Sequence, residues 1–438
     1  MRKKVLMISS VSSMIDQFNM PNICLMLDMG YEVHVACNFE KGNTCSAERV
    51  NKLKAALSQM HVICHQWDCP RSMQRAGDFI RAFWQLWDLT GRHRFEWMHC
   101  HSPIGSVLAR AVACRRGIRV IYTAHGFHFY KGAPLKNWLL FYPVEKMLAH
   151  VTDVLITINK EDYLFARKKL KAGKICYTPG VGIDTERFRR QPGAEGGVCQ
   201  DSEKQKHAAG FCGCPGAEGT RQDSEKGKRH GEQNAADTLR AAERKKFCRK
   251  YKIPVNAVIL LSAGELNRGK NHRMVIGAMA GMSRTDVYYL ICGQGGLKEE
   301  LLRYADSLNV RDRIRMPGYQ ENMPWFYQNA DIFVFPSVRE GMPVALAEAM
   351  AAGLPCVVSD IRGSRQLISD KDMRFCLGRQ DQLGRILETL ASSSYLRQKY
   401  GAENQVSADR YNIENVKKRM KKIYCYCSGL CCQPQNES

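Results

Sequence analysis

Two glutamates eight positions apart, Glu340 and Glu348, frame the segment DIFVFPSVREGMPVALAEAMAAG, which runs from Asp331 to Gly353. Its apolar start, Ile332 to Phe335 closed by Pro336, suits a buried strand of a parallel sheet. A polar turn follows, with Gly341 and then Pro343 at the expected first helical position. Val344 to Ala352 is almost entirely strong helix formers, and Gly353 stands where a C-terminal cap belongs. Strand, tight loop and helix in that order place free backbone N–H groups and a helix N-terminus at the carboxyl end of a sheet. That is where anionic ligands bind. Glu348 is a charge within a helix that otherwise wants burial. The plain alternative puts it on the solvent face of an amphipathic helix. Its fixed spacing to Glu340-Gly341-Met342-Pro343 favours a site.

Other segments carry chemistry of the same kind. Ser262-Ala263-Gly264-Glu265-Leu266-Asn267-Arg268-Gly269-Lys270-Asn271-His272 follows a strand and opens a helix. Gly293-Gln294-Gly295-Gly296 is a glycine turn after the strand Val287 to Cys292, a weak signal by itself. Val120 to Ala124 is a strand ending at His125-Gly126-Phe127-His128, which puts His125 on a cleft rather than in a core. Asp370-Lys371-Asp372 has the D-x-D form of a metal site but follows no apolar strand, so it reads as a surface turn.

Glu340-Gly341-Met342-Pro343 with Glu348 resembles the paired-glutamate motif of family-4 glycosyltransferases, retaining enzymes of the GT-B fold that use nucleotide-activated sugars. The resemblance spans nearly the whole chain apart from one insertion. It implies that Glu348 binds the donor ribose, that Glu340 holds hydroxyls of the donor sugar, and that His125 orients that sugar near the reacting carbon. Gly264 to Lys270 matches the family's phosphate-binding loop, which implies that Lys270 stabilises charge on the leaving diphosphate. Gly264, Gly293, Gly295, Gly341, Met342 and Pro343 would lie along the donor, and Met316, in Met316-Pro317-Gly318-Tyr319, would meet the base. Glu265 departs from the pattern, standing where the family usually has a second phosphate-binding arginine, and Arg268 is the candidate replacement. Ser9 to Met14 lacks the family's double glycine. The form G-E-L-N…K-N-H resembles a bacterial subgroup of capsule and exopolysaccharide assembly.

The implied reaction moves a sugar from a nucleotide-diphosphate donor, UDP in the preferred reading, to a growing glycan. The acceptor is either polyprenyl-diphosphate-linked or free. In the family's mechanism the acceptor attacks from the face the diphosphate leaves, so no protein base, metal or cofactor is assigned. Two rival readings share the architecture: a GT-B nucleotide-sugar epimerase, and a non-catalytic subunit that binds donor or glycan.

The elements that must position these residues fall into two series. Strands at 4–9, 31–37, 60–66, 96–99, 118–123, 153–157 and 174–178 alternate with helices at 17–29, 47–59, 103–116, 137–150 and 160–170. A second series has strands near 258–263, 286–292, 313–316, 331–335 and 355–359. This predicts an α/β protein of GT-B architecture, two doubly wound Rossmann-like domains facing a cleft. The acceptor-side domain spans 1–188 and the nucleotide-sugar domain 235–404. Between them, 189–234 repeats PGAEG and QDSEK, has almost no aliphatic residues, and reads as a disordered insertion. A basic amphipathic helix at 405–424 is placed to return to the first domain, and a Cys-rich tail, 425–438, follows it.

Composition narrows the partners. At 438 residues the chain is long enough for two cores. No apolar run is long enough to cross a bilayer, and MRKKVLMISSVSSMIDQ reads as a first strand rather than a signal peptide. The expected location is the cytoplasm or the inner face of the plasma membrane. Nineteen cysteines, scattered through strands and helices as at Cys24, Cys37, Cys100, Cys292 and Cys356, are expected to be mostly buried and reduced. Cys212 with Cys214, and Cys425, Cys427, Cys431 with Cys432, lack the C-x2-C spacing of a zinc knuckle. The formal charge of +22 comes without a nucleic-acid-binding pattern. With Phe79 to Trp87, an aromatic-basic stretch, it points instead to an anionic membrane surface.

Overall fold

The computed structural model describes residues 2–41, 46–70, 76–189 and 238–429. The 189–234 insertion beyond residue 189, with Cys212 and Cys214, and the tail beyond 429 lie outside the described residues. In chain order the strands are β1 (Lys4–Ile8), β2 (Glu32–Cys37), β3 (Ile63–Gln66), β4 (Phe95–His101), β5 (Arg119–Ala124), β6 (Val154–Thr157), β7 (Lys174–Tyr177), β8 (Val258–Ala263), β9 (Val287–Cys292), β10 (Ile314–Gly318), β11 (Ile332–Phe335), β12 (Cys356–Ser359) and β13 (Arg374–Phe375). The helices of the first half are α1 (Ser12–Phe18), α2 (Met20–Asp28), α3 (Ala47–Gln59), α4 (Ala76–Arg92), α5 (Pro103–Arg116), α6 (Leu135–Ala149), α7 (Lys160–Lys169) and α8 (Thr185–Phe188). Those of the second half are α9 (238–251), α10 (His272–Ala280), α11 (Lys298–Ser307), α12 (Met323–Asn329), α13 (Val344–Ala351), α14 (Arg362–Leu367), α15 (Gln380–Ser392), α16 (Ser394–Ala408) and α17 (Ile413–Cys427).

Two parallel sheets result, ordered β3-β2-β1-β4-β5-β6-β7 and β10-β9-β8-β11-β12-β13. The central strands are covered on both faces, so they read as unbroken apolar runs: Val258 to Leu261 of β8 and all of β11 are buried. In each sheet the order reverses beside the first strand of its series, β1 in one and β8 in the other. Such a switch point leaves a crevice beyond the carboxyl ends of the strands, where no helix covers the sheet. Ser9, His101 and His125 stand at or just past the ends of β1, β4 and β5, and Gly264 and Ser337 just past β8 and β11. This is the GT-B architecture the sequence predicts.

Three departures have local causes. The helix expected at 17–29 is two helices, α1 and α2, broken at Asn19, because Pro21 enters the second helix at its first turn and has no N–H to bond back. The basic helix expected from 405 begins only at Ile413: α16 ends at Ala408, a 3-10 turn covers Asp409–Tyr411, and the Asn412 side chain accepts from the Glu414 N–H at 2.8 Å. That helix runs on through Cys425 and Cys427, both buried, so the expected Cys-rich tail starts inside a packed element. Val416, Met420, Ile423, Tyr424 and Cys427 join the apolar cluster of β1, β2 and α2 in the first domain. Most described cysteines are free and buried, but Cys24, Cys64, Cys114 and Cys376 are exposed.

Candidate functional site

The segment around the two glutamates folds as strand, loop and helix. β11 ends at Phe335, the loop carries Glu340 and Gly341, and α13 starts after Pro343 with no side chain capping its N-terminus. Its first backbone N–H groups are therefore available to an anion at the crevice. Glu340 meets Lys270, whose Nζ lies 2.6 Å from Glu340 Oε1; both side chains are about a quarter exposed or less, at 25% and 21%. Lys270 is held there by its loop, since its backbone N–H donates to Asn267 Oδ1 at 3.0 Å. Opposite charges at this range in a half-enclosed cleft neutralise each other until a ligand offers each a better partner.

Gly341 is one of the places where the two domains touch. A Cβ at this position would sit 1.9 Å from the His125 carbonyl oxygen, so no other residue fits without pushing the domains apart. Gly293 is constrained in the same manner, its added Cβ meeting the Gly264 carbonyl at 1.8 Å, and its own N–H donates to Gly318 O at 2.9 Å. Gly264, Gly293 and Gly295 thus interlock at the ends of β8 and β9, with the Leu266 N–H donating to Gln294 O at 3.0 Å. Met316 lies on edge strand β10, half-buried, two residues before Gly318. Pro343 is buried, and the Met342 side chain packs on Gly180, which leaves the Met342 backbone to the crevice. Arg268 and Glu265 are both exposed on the loop between β8 and α10.

Glu348 points inward. The residue is half-buried, and its carboxylate accepts from the Tyr327 hydroxyl at 2.9 Å. Burial pushes its carboxyl up to about 7, against the opposing pull of Tyr327 and of the more distant Arg187. The solvent-face alternative for this residue is thereby removed. At neutral pH the group is shared between acid and carboxylate. A ligand that donates hydroxyls to it favours the carboxylate.

On the facing domain His125 is kept neutral, burial holding it down to about 4. One face of its hydrogen bonding is already taken: His101 Nδ1 and His125 Nε2 are 3.0 Å apart. His101 lies tilted against His99 at 4.2 Å between ring centroids, and His99 bonds Thr123 Oγ1 at 2.8 Å and the Tyr424 hydroxyl at 3.0 Å. A buried file of histidines therefore links the last helix to the crevice. His128, whose ring packs on Phe141, is also held neutral by burial, down to about 4.

Several site residues escaped the sequence. Arg362, at the start of α14, crosses to the first domain, where it bonds Asp162 Oδ1 at 2.6 Å and the Phe127 carbonyl at 3.0 Å. Both charged side chains are almost fully buried. Tyr130 lies against the Arg362 guanidinium at 4.6 Å. The one local trace was Asn159-x-x-Asp162, a helix-capping pattern in which Asp162 carries a second duty. At the end of β1, Ser10 Oγ and Ser102 Oγ are 2.8 Å apart, in the place where a glycine pair was missing.

Comparison with known proteins bears on the family and the fold. Residues 243–407 match the family model of glycosyl transferases group 1, and residues 4–159 match glycosyl transferase 4-like. EpsD of Bacillus subtilis, a glycosyltransferase by assignment, is 31% identical over 432 residues, 97% of either chain. The UDP-Gal:alpha-D-GlcNAc-diphosphoundecaprenol alpha-1,3-galactosyltransferase of Escherichia coli is 25% identical over 300 residues, covering 67% of this chain and 65% of its own length. Among solved structures, HepE of Anabaena in complex with UDP and glucose superposes with a TM-score of 0.69 at 13% identity, over 97% of this chain and 100% of that one. That likeness is one of fold.

Proposed function

The chain belongs to the group 1, family-4-like glycosyltransferases of GT-B fold, and we propose that it is a retaining enzyme moving a sugar from a UDP-linked donor to a growing, lipid-linked glycan of a cell-surface polysaccharide. The observation that carries the reading is the Lys270–Glu340 pair at one switch point, set against His125-Gly126 at the other. A donor diphosphate takes Lys270 and the uncapped N-terminus of α13, which together stabilise charge as it leaves. The freed Glu340 takes hydroxyls of the sugar, and neutral His125 offers the sugar its remaining ring nitrogen. Glu348 receives the ribose hydroxyls. The acceptor hydroxyl attacks the anomeric carbon from the face the diphosphate departs, giving its proton to a phosphate oxygen, so no side chain need act as base and no metal ion is called for.

The UDP donor is supported by the name of the Escherichia coli relative and by the ligands of the Anabaena structure, and the lipid-linked acceptor by the diphosphoundecaprenol of that same relative. Work at the inner membrane face follows from such an acceptor. Among the described residues no helix is long and apolar enough to cross a membrane, so contact with lipid would be at a surface. The test measures UDP release from a panel of UDP-sugars with and without a polyprenyl-diphosphate glycan, with NMR of the product's anomeric proton. Acceptor-dependent release with a retained anomeric configuration supports the proposal. Release without acceptor, together with an epimerised sugar, indicates the epimerase. Donor binding with no turnover indicates a binding subunit, the reading that exposed Glu265 favours.

A further inference from the structure

Away from the cleft, three histidines converge at the edge of the first sheet. His34 lies on β2, His65 on the neighbouring edge strand β3, and His93 in the link between α4 and β4. Registry puts the first two on one face, since His34 pairs with Ile63 and Ala36 with His65, and side chains alternate along a strand. One potential ligand nitrogen from each of the three lies within 4.8 Å of the others. His34 Nδ1 and His65 Nε2 approach to 2.8 Å, with the ring planes only 10° apart and the centroids 5.1 Å apart, so the two nitrogens face each other almost in plane. The His93 ring completes the group, 4.8 Å from His34 and 5.6 Å from His65. On the far side of His34, Nε2 bonds Glu32 Oε1 at 2.9 Å.

The geometry points to a divalent metal site of the zinc class, held by His34 Nδ1, His65 Nε2 and one nitrogen of His93. A hydrogen-bonded imidazole pair accounts for His34 and His65 but gives His93 no part. Three converging imidazoles with a carboxylate behind one of them are the donor set and outer support of a zinc-type site. The set contains no carboxylate or carbonyl oxygen among its inner ligands, which excludes magnesium and calcium and suits zinc, nickel or copper. Tetrahedral bonds of about 2.0–2.1 Å set ligand nitrogens roughly 3.3 Å apart, so the His34–His65 pair has to open by about half an ångström. Glu32 accepts from His34 Nε2–H, fixing the tautomer that bares Nδ1, so the proton between the two rings sits on His65 Nε2; on binding that proton is released to solvent while His65 Nδ1 takes one up, leaving a neutral imidazole ligand. His34 is buried while His65 and His93 are half-buried, which leaves an entry path and a fourth position for water. The role is mechanical. β3 has four residues and pairs on one side only, and the ion would tie it to β2 and to the end of α4.

The test uses the full chain, dialysed against a chelator and titrated with cobalt(II) as the probe, then with zinc in competition. Cysteines elsewhere also bind these ions, so the readout is the difference between wild type and His65→Gln or His93→Gln, each confirmed folded by circular dichroism. Wild type should take up one more equivalent than either variant, with a visible d–d band and no sulfur charge-transfer band in the difference spectrum. Its melting temperature should rise with zinc while the variants' does not. Glu32→Gln should keep the site but weaken it by about 10- to 100-fold. Equal uptake in wild type and both variants, or a sulfur band in the difference spectrum, overturns the proposal. His65→Gln, at a half-exposed edge strand, keeps the comparison valid if His93→Gln does not fold.

Discussion

At the scale of single residues the cleft is a set of charges waiting for partners. Lys270 and Glu340 satisfy each other at 2.6 Å, and a donor must separate them, which its diphosphate and sugar hydroxyls are chemically suited to do. Lys270→Ala should therefore slow turnover by about 10²- to 10³-fold, which is about 3–4 kcal/mol, while changing UDP affinity far less. Single-turnover rates set beside calorimetric UDP affinities check it; a loss confined to affinity would reassign Lys270 to ground-state binding. Glu348 makes a second prediction, through pH. Its carboxyl is raised from 4.5 to about 7, so between those values the folded protein holds more protons on this group than the unfolded chain does. Its contribution to stability is present below about pH 4.5 and is lost as pH rises through about 7. Glu348→Gln mimics the protonated form, so the variant's melting temperature should gain on wild type between pH 5 and pH 8. UDP binding should do the opposite: the wild-type advantage over Glu348→Gln should grow over the same interval, because ribose hydroxyls donate to the carboxylate. Comparing the two proteins cancels ionisation of the UDP phosphate. A pH-independent difference would show that the ribose lies elsewhere.

At the scale of elements, the central strands were legible because burial on both faces makes them apolar runs, and the crevice was legible because glycines and a proline mark its loops. Pairings made across the fold were not. Arg362 and Asp162 stand 200 residues apart, and nothing local to Arg362 calls for its burial; the Tyr327 hydroxyl that meets Glu348 likewise comes from outside the motif, 21 residues away. The break at Asp409–Tyr411 was hidden for a different cause, since Gln405 to Tyr424 keeps helical composition while the chain turns between domains. The Arg362–Asp162 bridge joins α14 to the start of α7, and Asp162 also accepts the Phe127 N–H at 3.0 Å and Asn159 Nδ2 at 2.8 Å. Arg362→Ala should leave that carboxylate buried without its counter-ion, a cost of about 3–5 kcal/mol for typical buried pairs. Because the pair spans two domains, the cost falls on closure more than on the folding of either one. Small-angle scattering should show a larger radius of gyration, and turnover should fall, while UDP affinity in the second domain stays nearly unchanged. An unaltered radius with normal turnover would mean that Gly341 against His125 suffices to hold the closed form.

At the scale of the whole molecule, the formal charge of +22 and the distribution of exposed apolar side chains bear on where the proposed lipid-linked acceptor would be met. The aromatic-basic stretch singled out in the sequence is only partly a surface. Phe83 and Trp87 of α4 are half-buried against the core, Arg116 lies 3.8 Å over Trp87, and it is Ile80 and Trp84, 60% and 59% exposed, that face outward. α6, packed on the other side of α5, adds Leu135, Leu139, Leu140 and Met147, all exposed, among Lys131, Lys136 and Lys146. Both helices cover one face of the first sheet, so the first domain presents an apolar and basic surface there. Apolar side chains entering the headgroup layer and lysines near anionic lipid, each worth about 1 kcal/mol, would act together, and the electrostatic part fades as salt shortens the Debye length. The chain should therefore co-sediment with phosphatidylglycerol vesicles, bind neutral vesicles little, and be released by high salt. Leu139→Ser with Leu140→Ser should weaken that binding several-fold while leaving UDP affinity as it was, because α6 lies outside the donor half of the cleft. Equal binding to charged and neutral vesicles, or none to either, would turn the assignment toward an acceptor that comes to the enzyme in solution.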